Sequence, residues 1–363
     1  NFSKKNRNYI NKINMSTYIS NIENNDDMLL FDIKGVSPCV VNSLRRVILS
    51  NIPTLVFRGF PHEENNIHIK KNYTKFNNEY LKHRISCIPI MNDDETSYTN
   101  YVNSYMVYLH VINDSAEKKQ ITTKDLKIIY KESKKEMDEA EVRKLFPPDP
   151  ITGDYSIICI LYPSYNTNEK NEELELEIHF DIGTPQENSC WNIVHNCCYE
   201  CLQNKSKIEE EASKIEDEFE KTDFKILNGQ KIYFKDEFKM TVQSLGENLG
   251  VFTNSLFVYK SCDYMINKLS KVIEYMTNTS NQEILSKNEF MANITDGTSS
   301  REVLDSYENM YCSLYSENDD FYVLKLKEDD FTIGKLIEQY LYKLYESELA
   351  LSLIHISEPT RQP

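Results

Sequence analysis

"VNSLRRVILSNIPT", residues Val41 to Thr54, is the stretch from which the rest of this chain can be read. It follows Ser37-Pro38, a natural helix start, because Ser can cap free amides and Pro is tolerated at the first helical position. The pattern predicts a helix from Pro38 to Ser50. At 100° per residue, Val40, Val41, Leu44, Val47 and Ile48 gather on one side, the stripe that a core-facing helix needs. The other side brings Asn42, Arg46 and Leu49 together, with Arg45 beside them. A solvated surface pair is the plain reading of the two arginines. An ordinary solvent face, however, carries Lys and Glu more often than adjacent arginines next to a leucine.

The chain of 363 residues has room for two or three domains with cores of their own. Its 40% hydrophobic and 27% charged residues are an ordinary globular balance. A formal net charge of −16 makes it a poor candidate for gripping a phosphate backbone, so any role near nucleic acid would run through partners. Nine cysteines scattered without a small-domain framework, and with no signal peptide ahead of them, read as reduced thiols inside a cell. No apolar run reaches the roughly 18 residues of a membrane span. There is no Gly-rich phosphate loop, no Asp-x-Asp-x-Asp cluster and no nucleophile elbow, so we expect no catalysis by this chain alone. The abundance of Asn, Lys, Ile and Tyr points to an AT-rich coding sequence.

Along the chain, "MLLFDIKGV" reads as a strand before the helix and "PTLVFRGF" as one after it. "NNEYLKHRISCIPI" reads as a short helix leading into a strand at Ile88-Pro89-Ile90. Residues 98 to 182 read mostly as strands and turns: "YVNSYMVYLHVI", "LKIIY", "YSIICILY" and "LELEIHF", with "FPPDPITGD" as a rigid loop. "CWNIVHNCCYECL" returns to strand, a charged helix is predicted from Lys205 to Lys221, and "KIYFKDEFKMTVQSLG" is strand-like. A long helix from Asn254 to Met276 carries Cys262, Met265, Ile266, Leu269, Val272, Ile273 and Met276 as an apolar seam suited to another helix.

"FYVLKLKEDDFTIGKLIEQYLYKLY" then repeats the opening logic of strand, polar turn and helix, with Ile333, Leu336, Ile337, Tyr340, Leu341 and Leu344 as its stripe. An offset of 292 residues lays Leu44 on Leu336 and Ile48 on Tyr340. A two-copy chain of this kind can form a pseudo-symmetric dimer with itself. Residues 1–14 are polar and basic and read as a non-native or disordered extension ahead of Met15. "LSLIHISEPTR" near the end fits no element and looks like the in-frame translation of a sequencing-library adapter, so 351–363 reads as an added tail.

"NSLRRVILSNIPT" followed by "NNEYLKHRISCIPI" resembles the paired signature of the assembly-platform subunits of multisubunit RNA polymerases, bacterial alpha and the third-largest-type subunit. "FPPDPITGDYSI", "DIGTPQENSCWNIVHNCCYE" and "LGVFTNSLF" are similar to successive segments of that family. "EDDFTIGKLIEQYL" resembles the smaller, eleventh-subunit-type partner. Both partners in one chain is the arrangement seen in large nucleocytoplasmic DNA viruses, with which the AT bias agrees.

The resemblance implies an α+β fold: a dimerisation domain over 15–60 and 186–278, split by an inserted β-rich domain at 61–185. A linker over 279–314 and a second, truncated dimerisation half over 315–350 would follow. It implies a non-catalytic scaffold in transcription that nucleates assembly of the two largest polymerase subunits, chiefly the second-largest, along with small platform subunits. DNA would be met only indirectly. Arg46 matches a position that faces the second-largest subunit, flanked by Asn42, Arg45 and Leu49, where a guanidinium fork suits carboxylates or carbonyls across an interface. Leu44, Ile48, Leu269, Ile273, Ile333, Gly334, Leu336 and Ile337 would carry the internal dimerisation. Lys335 departs from the family's usual Asn. The site of action would be the host cytoplasm, in a viral factory or virion, or the host nucleus.

The competing class is a stand-alone zinc protein or metal-dependent enzyme around Cys190–Cys201, since Cys198-x-x-Cys201 has ligand spacing and Cys190, Cys197 and His195 lie near in sequence. A strand would send Cys198 and Cys201 to opposite faces, and no second Cys pair is close, so we expect no zinc and no other cofactor. Asp149 and Asp154 read as turn residues, and "IEEEASKIEDEFEK" as a solvated face that could meet a basic partner.

Overall fold

Strand β1 (Ile19–Asn25) pairs antiparallel with β2 (Met28–Lys34), from Ile19 opposite Ile33 to Asn25 opposite Met28. In the computed structural model the described residues are 18–25, 28–164, 171–245, 253–279, 312–318, 321–326 and 331–345. The expected extension 1–14, nearly all of the linker and the tail 351–363 lie outside them. A bulge interrupts the pair between Ser20 and Glu23. There Asn21 adopts φ +51°, which an Asn tolerates, and its amide donates to the buried carboxylate of Asp32 at 2.7 Å.

Helix α1 (Pro38–Ser50) follows as predicted. Its stripe is buried at Val41, Leu44, Val47 and Ile48. Next come β3 (Thr54–Val56), β4 (Ile67–Asn72) and α2 (Asn78–Ser86), the last capped by Asn77 accepting from the Tyr80 amide. Ile88-Pro89-Ile90 is an irregular segment and not a strand. Pro89 has no N–H for a ladder, and Ile88 and Ile90 are buried without one.

The stretch read as mostly strands also holds helices. Helix α3 (Glu95–Ser104) is capped by Asp94, and its Tyr98, Tyr101 and Val102 have helical spacing. Strand β5 (Tyr105–Ile112) begins only where the period changes to two, so "YVNSYMVYLHVI" spans the junction. Strands β6 (Lys119–Thr122) and β7 (Lys127–Tyr130) lead to helix α4 (Glu139–Leu145), which turns Val142 and Leu145 inward. Strands β8 (Ile157–Leu161), β9 (Glu173–His179) and β10 (Asp181–Gly183) complete this run.

Strand β11 (Val194–Gln203) and β12 (Tyr233–Ser244) join β1 and β2 in the order β1-β2-β12-β11. Between them the predicted charged helix is two helices, α5 (Lys205–Ala212) and α6 (Glu218–Asp223), because Asp217 caps a fresh start by accepting from the Phe219 amide. A π-helical turn, Phe224–Asn228, continues α6. Helix α7 (Asn254–Thr279), the hairpin of β13 (Cys312–Asn318) and β14 (Phe321–Leu326), and α8 (Phe331–Tyr345) close the sequence of elements.

Two compact units emerge, the first comprising the segment up to Lys34, Ile48–Glu200 and Lys239–Val258. Its largest core lies under the sheet β4-β9-β5-β7 and the pair β6-β8. Strand β9 alternates strictly, burying Leu174, Leu176 and Ile178, and the register sets Val107 opposite Ile178 and Leu109 opposite Leu176. Leu81, Ile85, Tyr98, Val142 and Leu145 from the three helices fill the same core. The second unit comprises Gly35–Val47, Cys201–Phe238 and the residues from Tyr259 onward. Among the described residues, no helix is long and apolar enough to cross a membrane.

Candidate subunit interface

Within the second unit the start of α1 lies antiparallel to α8. Ser37 Oγ donates to Gln339 Oε1 at 2.9 Å, and six residues further on Ser43 Oγ donates to the Thr332 carbonyl at 3.0 Å, in a buried position. The Ser37 hydroxyl proton thus crosses to α8, while its carbonyl accepts from the Val40 amide at 3.0 Å. Between these two bonds sits Cys39, whose thiol burial pushes up from its ordinary range. Lys335 opposes that shift, and Glu338 adds to it. Lys335, the departure from the expected Asn, forms an ion pair with Glu338 one turn along its own helix.

The structure brings together the sequence-predicted packing residues Leu44, Ile333 and Leu336 as buried side chains, with Ile48 buried further along α1. Gly334, Ile337 and Leu269 are half-buried. Ile273 is 63% exposed, so the seam of α7 is not all covered by described residues.

The opposite side of α1 is half-buried at Asn42, Arg45, Arg46 and Leu49. Asn42 Oδ1 accepts from Arg45 Nε at 3.3 Å and from Nη2 at 3.0 Å. That amide fixes the Arg45 guanidinium along the helix, three residues on, through its Nε and Nη2 edge. The four residues thus share one helix face, as the periodicity predicted.

Sequence reasoning gave no role to Arg58. Its Nε donates to Asp181 Oδ2 at 2.6 Å and its Nη2 to Glu187 at 2.9 Å, Glu64 lies 3.4 Å from Nη1, and the guanidinium stacks 4.8 Å from the Trp191 ring centroid. The ring in turn lies against Gly183, where a Cβ would come within 2.5 Å of it. Glu64 is six residues on, but Asp181, Glu187 and Trp191 come from more than a hundred residues away, so nothing local signals the cluster.

The cysteine segment supplies no ligand set among the described residues. Cys197 is buried, Cys198 and His195 are exposed, and Cys190 and Cys201 are intermediate. The group of potential ligand atoms that does lie within 4.8 Å is elsewhere, at His110, Glu173 and Glu175 on the polar face of β5 and β9. Lys71 of β4 places its ammonium 2.9 Å from Glu173 and 3.1 Å from Glu175. His110 Nε2 is 2.8 Å from Glu173. Lys71 and then His110 hold the Glu173 carboxyl below its ordinary range.

Residues 30–248, which run from within β2 through α1 to beyond β12, match the RNA polymerase Rpb3/Rpb11 dimerisation domain family. The chain belongs to that family. The DNA-directed RNA polymerase subunit Rpo3 of the archaeon Methanosphaera stadtmanae is 26% identical over 205 residues, covering 54% of this chain and 64% of that protein. The chain thus spans somewhat under two thirds of the length of that relative. A dimerisation domain of this kind works with other RNA polymerase subunits, and Rpb3- and Rpo3-type homologues are non-catalytic. The match ends before α8, so the second strand-helix repeat is outside it.

Proposed function

We propose that this chain is a non-catalytic platform subunit of a multisubunit DNA-directed RNA polymerase, in which an Rpb3-type part and an Rpb11-type part are joined in one polypeptide. The observation that carries the reading is the antiparallel pairing of α1 with α8 through Ser37 and Gln339 and through Ser43 and Thr332. Two helices of matching sequence pattern, paired antiparallel, are what an isologous two-fold contact requires. The first dimerisation half then takes in 15–60 and 186–278, with 61–185 as the insert and 315–350 as the second half.

In this reading the face of Asn42, Arg45, Arg46 and Leu49 meets the second-largest subunit, and recruitment of both large subunits follows. An obligate interface of that type buries more than about 2,000 Å². The fused arrangement and the AT-rich composition support a viral source, acting in a cytoplasmic factory or in the nucleus of its host. The zinc or metalloenzyme alternative draws no support from the family match or the Rpo3 relative.

The test is co-expression of this chain, tagged, with the two largest polymerase subunits of the same genome. The expected result is a stable stoichiometric complex. A tagged chain that recovers neither subunit would overturn the platform role.

A further inference from the structure

Helix α6 and the π-helical turn after it form a continuous helical segment, Glu218 to Asn228, that buries none of its own residues. Phe219 is 83% exposed, Ile226 57% and Leu227 66%. Seven or eight residues make about two turns across the α-helical and π-helical parts, which sets the three on one side as an apolar ridge. A short helix with its apolar ridge in water lacks the packing from which most helical stability comes. What ties it down is polar and lies to one side: Lys225 Nζ reaches both carboxylate oxygens of Glu209 on α5 at 2.9 Å, and the Asp217 cap holds its start. The π-helical turn is a second sign, since π-turns are rare and concentrate at functional sites.

The rim of the ridge is acidic. Glu216, Glu220 and Asp223 are exposed around it, while the lysines nearby are taken up in ion pairs, Lys214 with Glu211, Lys221 with Glu218 and Lys225 with Glu209. That charge selects among occupants. It repels a nucleic acid or an anionic membrane surface, and it sets acid against acid if the same patch of a second copy is laid on it. A cationic polypeptide segment with apolar anchors is complementary on both counts.

We propose that the Phe219–Ile226–Leu227 ridge is a docking surface for a basic amphipathic segment of a partner protein, separate from the α1 face and independent of the platform reading. The anchors enter between the three side chains, and the partner's lysines or arginines meet Glu216, Glu220 and Asp223.

The experiment measures binding of a fluorescent amphipathic lysine–leucine helical peptide to the full chain by anisotropy, with lysine–serine and glutamate–leucine peptides as controls. We expect binding of the lysine–leucine peptide alone, weakened by about tenfold or more in F219S/L227S and in E216K/E220K, and weakened in about 0.5 M salt. Both variants change exposed side chains, and circular dichroism checks that they fold. Equal binding of the lysine–serine peptide, or unchanged binding by F219S/L227S, would overturn the proposal. So would self-association in sedimentation that F219S/L227S abolishes, or binding to vesicles of anionic phospholipid that depends on Phe219, since each names a different occupant.

Discussion

Ser43 and Thr332, 289 residues apart in sequence, are joined by a buried 3.0 Å hydrogen bond from the serine hydroxyl to the threonine carbonyl. The contact joins the two strand-helix repeats, from the middle of α1 to the first turn of α8, and only a small residue at 43 allows it. Ser43→Ala should cost about 1 kcal/mol through loss of one buried bond. Ser43→Leu should cost more, by forcing the helices apart. Urea denaturation of the full chain measures both, and equal midpoints for wild type and Ser43→Leu would refute close packing here.

Arg46→Glu changes a half-buried position on the opposite side of α1. Far-ultraviolet circular dichroism should be unchanged while co-purification with the second-largest polymerase subunit is lost. Retained recovery would show that the α1 face is not the contact.

Arg58 offers a sharper stability test, because its side chain is only 12% exposed and binds two carboxylates while stacking on the sole tryptophan. Arg58→Met leaves Asp181 without its closest cation and should cost roughly 2–4 kcal/mol. Arg58→Lys should recover only part of that, since an ammonium cannot reproduce the fork or the stack. Tryptophan fluorescence during urea unfolding reads both, and Trp191 emission should shift to the red in each variant.

Lys71, Glu173 and Glu175 predict an acid response. Lys71 hydrogen bonds lower both carboxyls from their ordinary value near 4.5. A depressed carboxylate contributes stability that is present above its unfolded pKa and is lost as pH falls through its folded pKa. Stability should therefore decline below about pH 4.5, and Lys71→Met should flatten that decline while changing little at pH 7. Unfolding midpoints between pH 2 and pH 7 test this, and an unaltered acid slope in Lys71→Met would contradict the assignment.

Thiol labelling separates the cysteines. Burial pushes the Cys159 thiol up to about 12 and Cys190 up to about 11, whereas Cys198 is exposed. Iodoacetamide at pH 8 should modify Cys198 well before Cys159, followed by peptide mass spectrometry. Protection of Cys198 and Cys201 together, relieved by a chelator, would revive the zinc reading.

How much of this was legible beforehand depends on range. Helix α1, with its stripe and its arginine face, could be read because a helix imposes a 3.6-residue period on its own neighbours. The alternation of β9 could be read for the same local reason. Helix α3 was hidden because its residues run straight into a strand, and the Ile88-Pro89-Ile90 segment misled because buried isoleucines look like a strand even when a proline denies the ladder. The break between α5 and α6 turns on one Asp217 cap inside a charged run.

Sequence by itself determined the local periods, the acidic charge, the lack of phosphate and nucleophile motifs, and the repeat 292 residues apart that pointed to internal dimerisation. Only the tertiary structure decided that Ser37 and Ser43 reach across to α8 and that Arg58 gathers Asp181, Glu187 and Trp191. Those are contacts between residues distant in sequence, and which distant residues meet is set by the burial of whole surfaces, a quantity that no local spacing records.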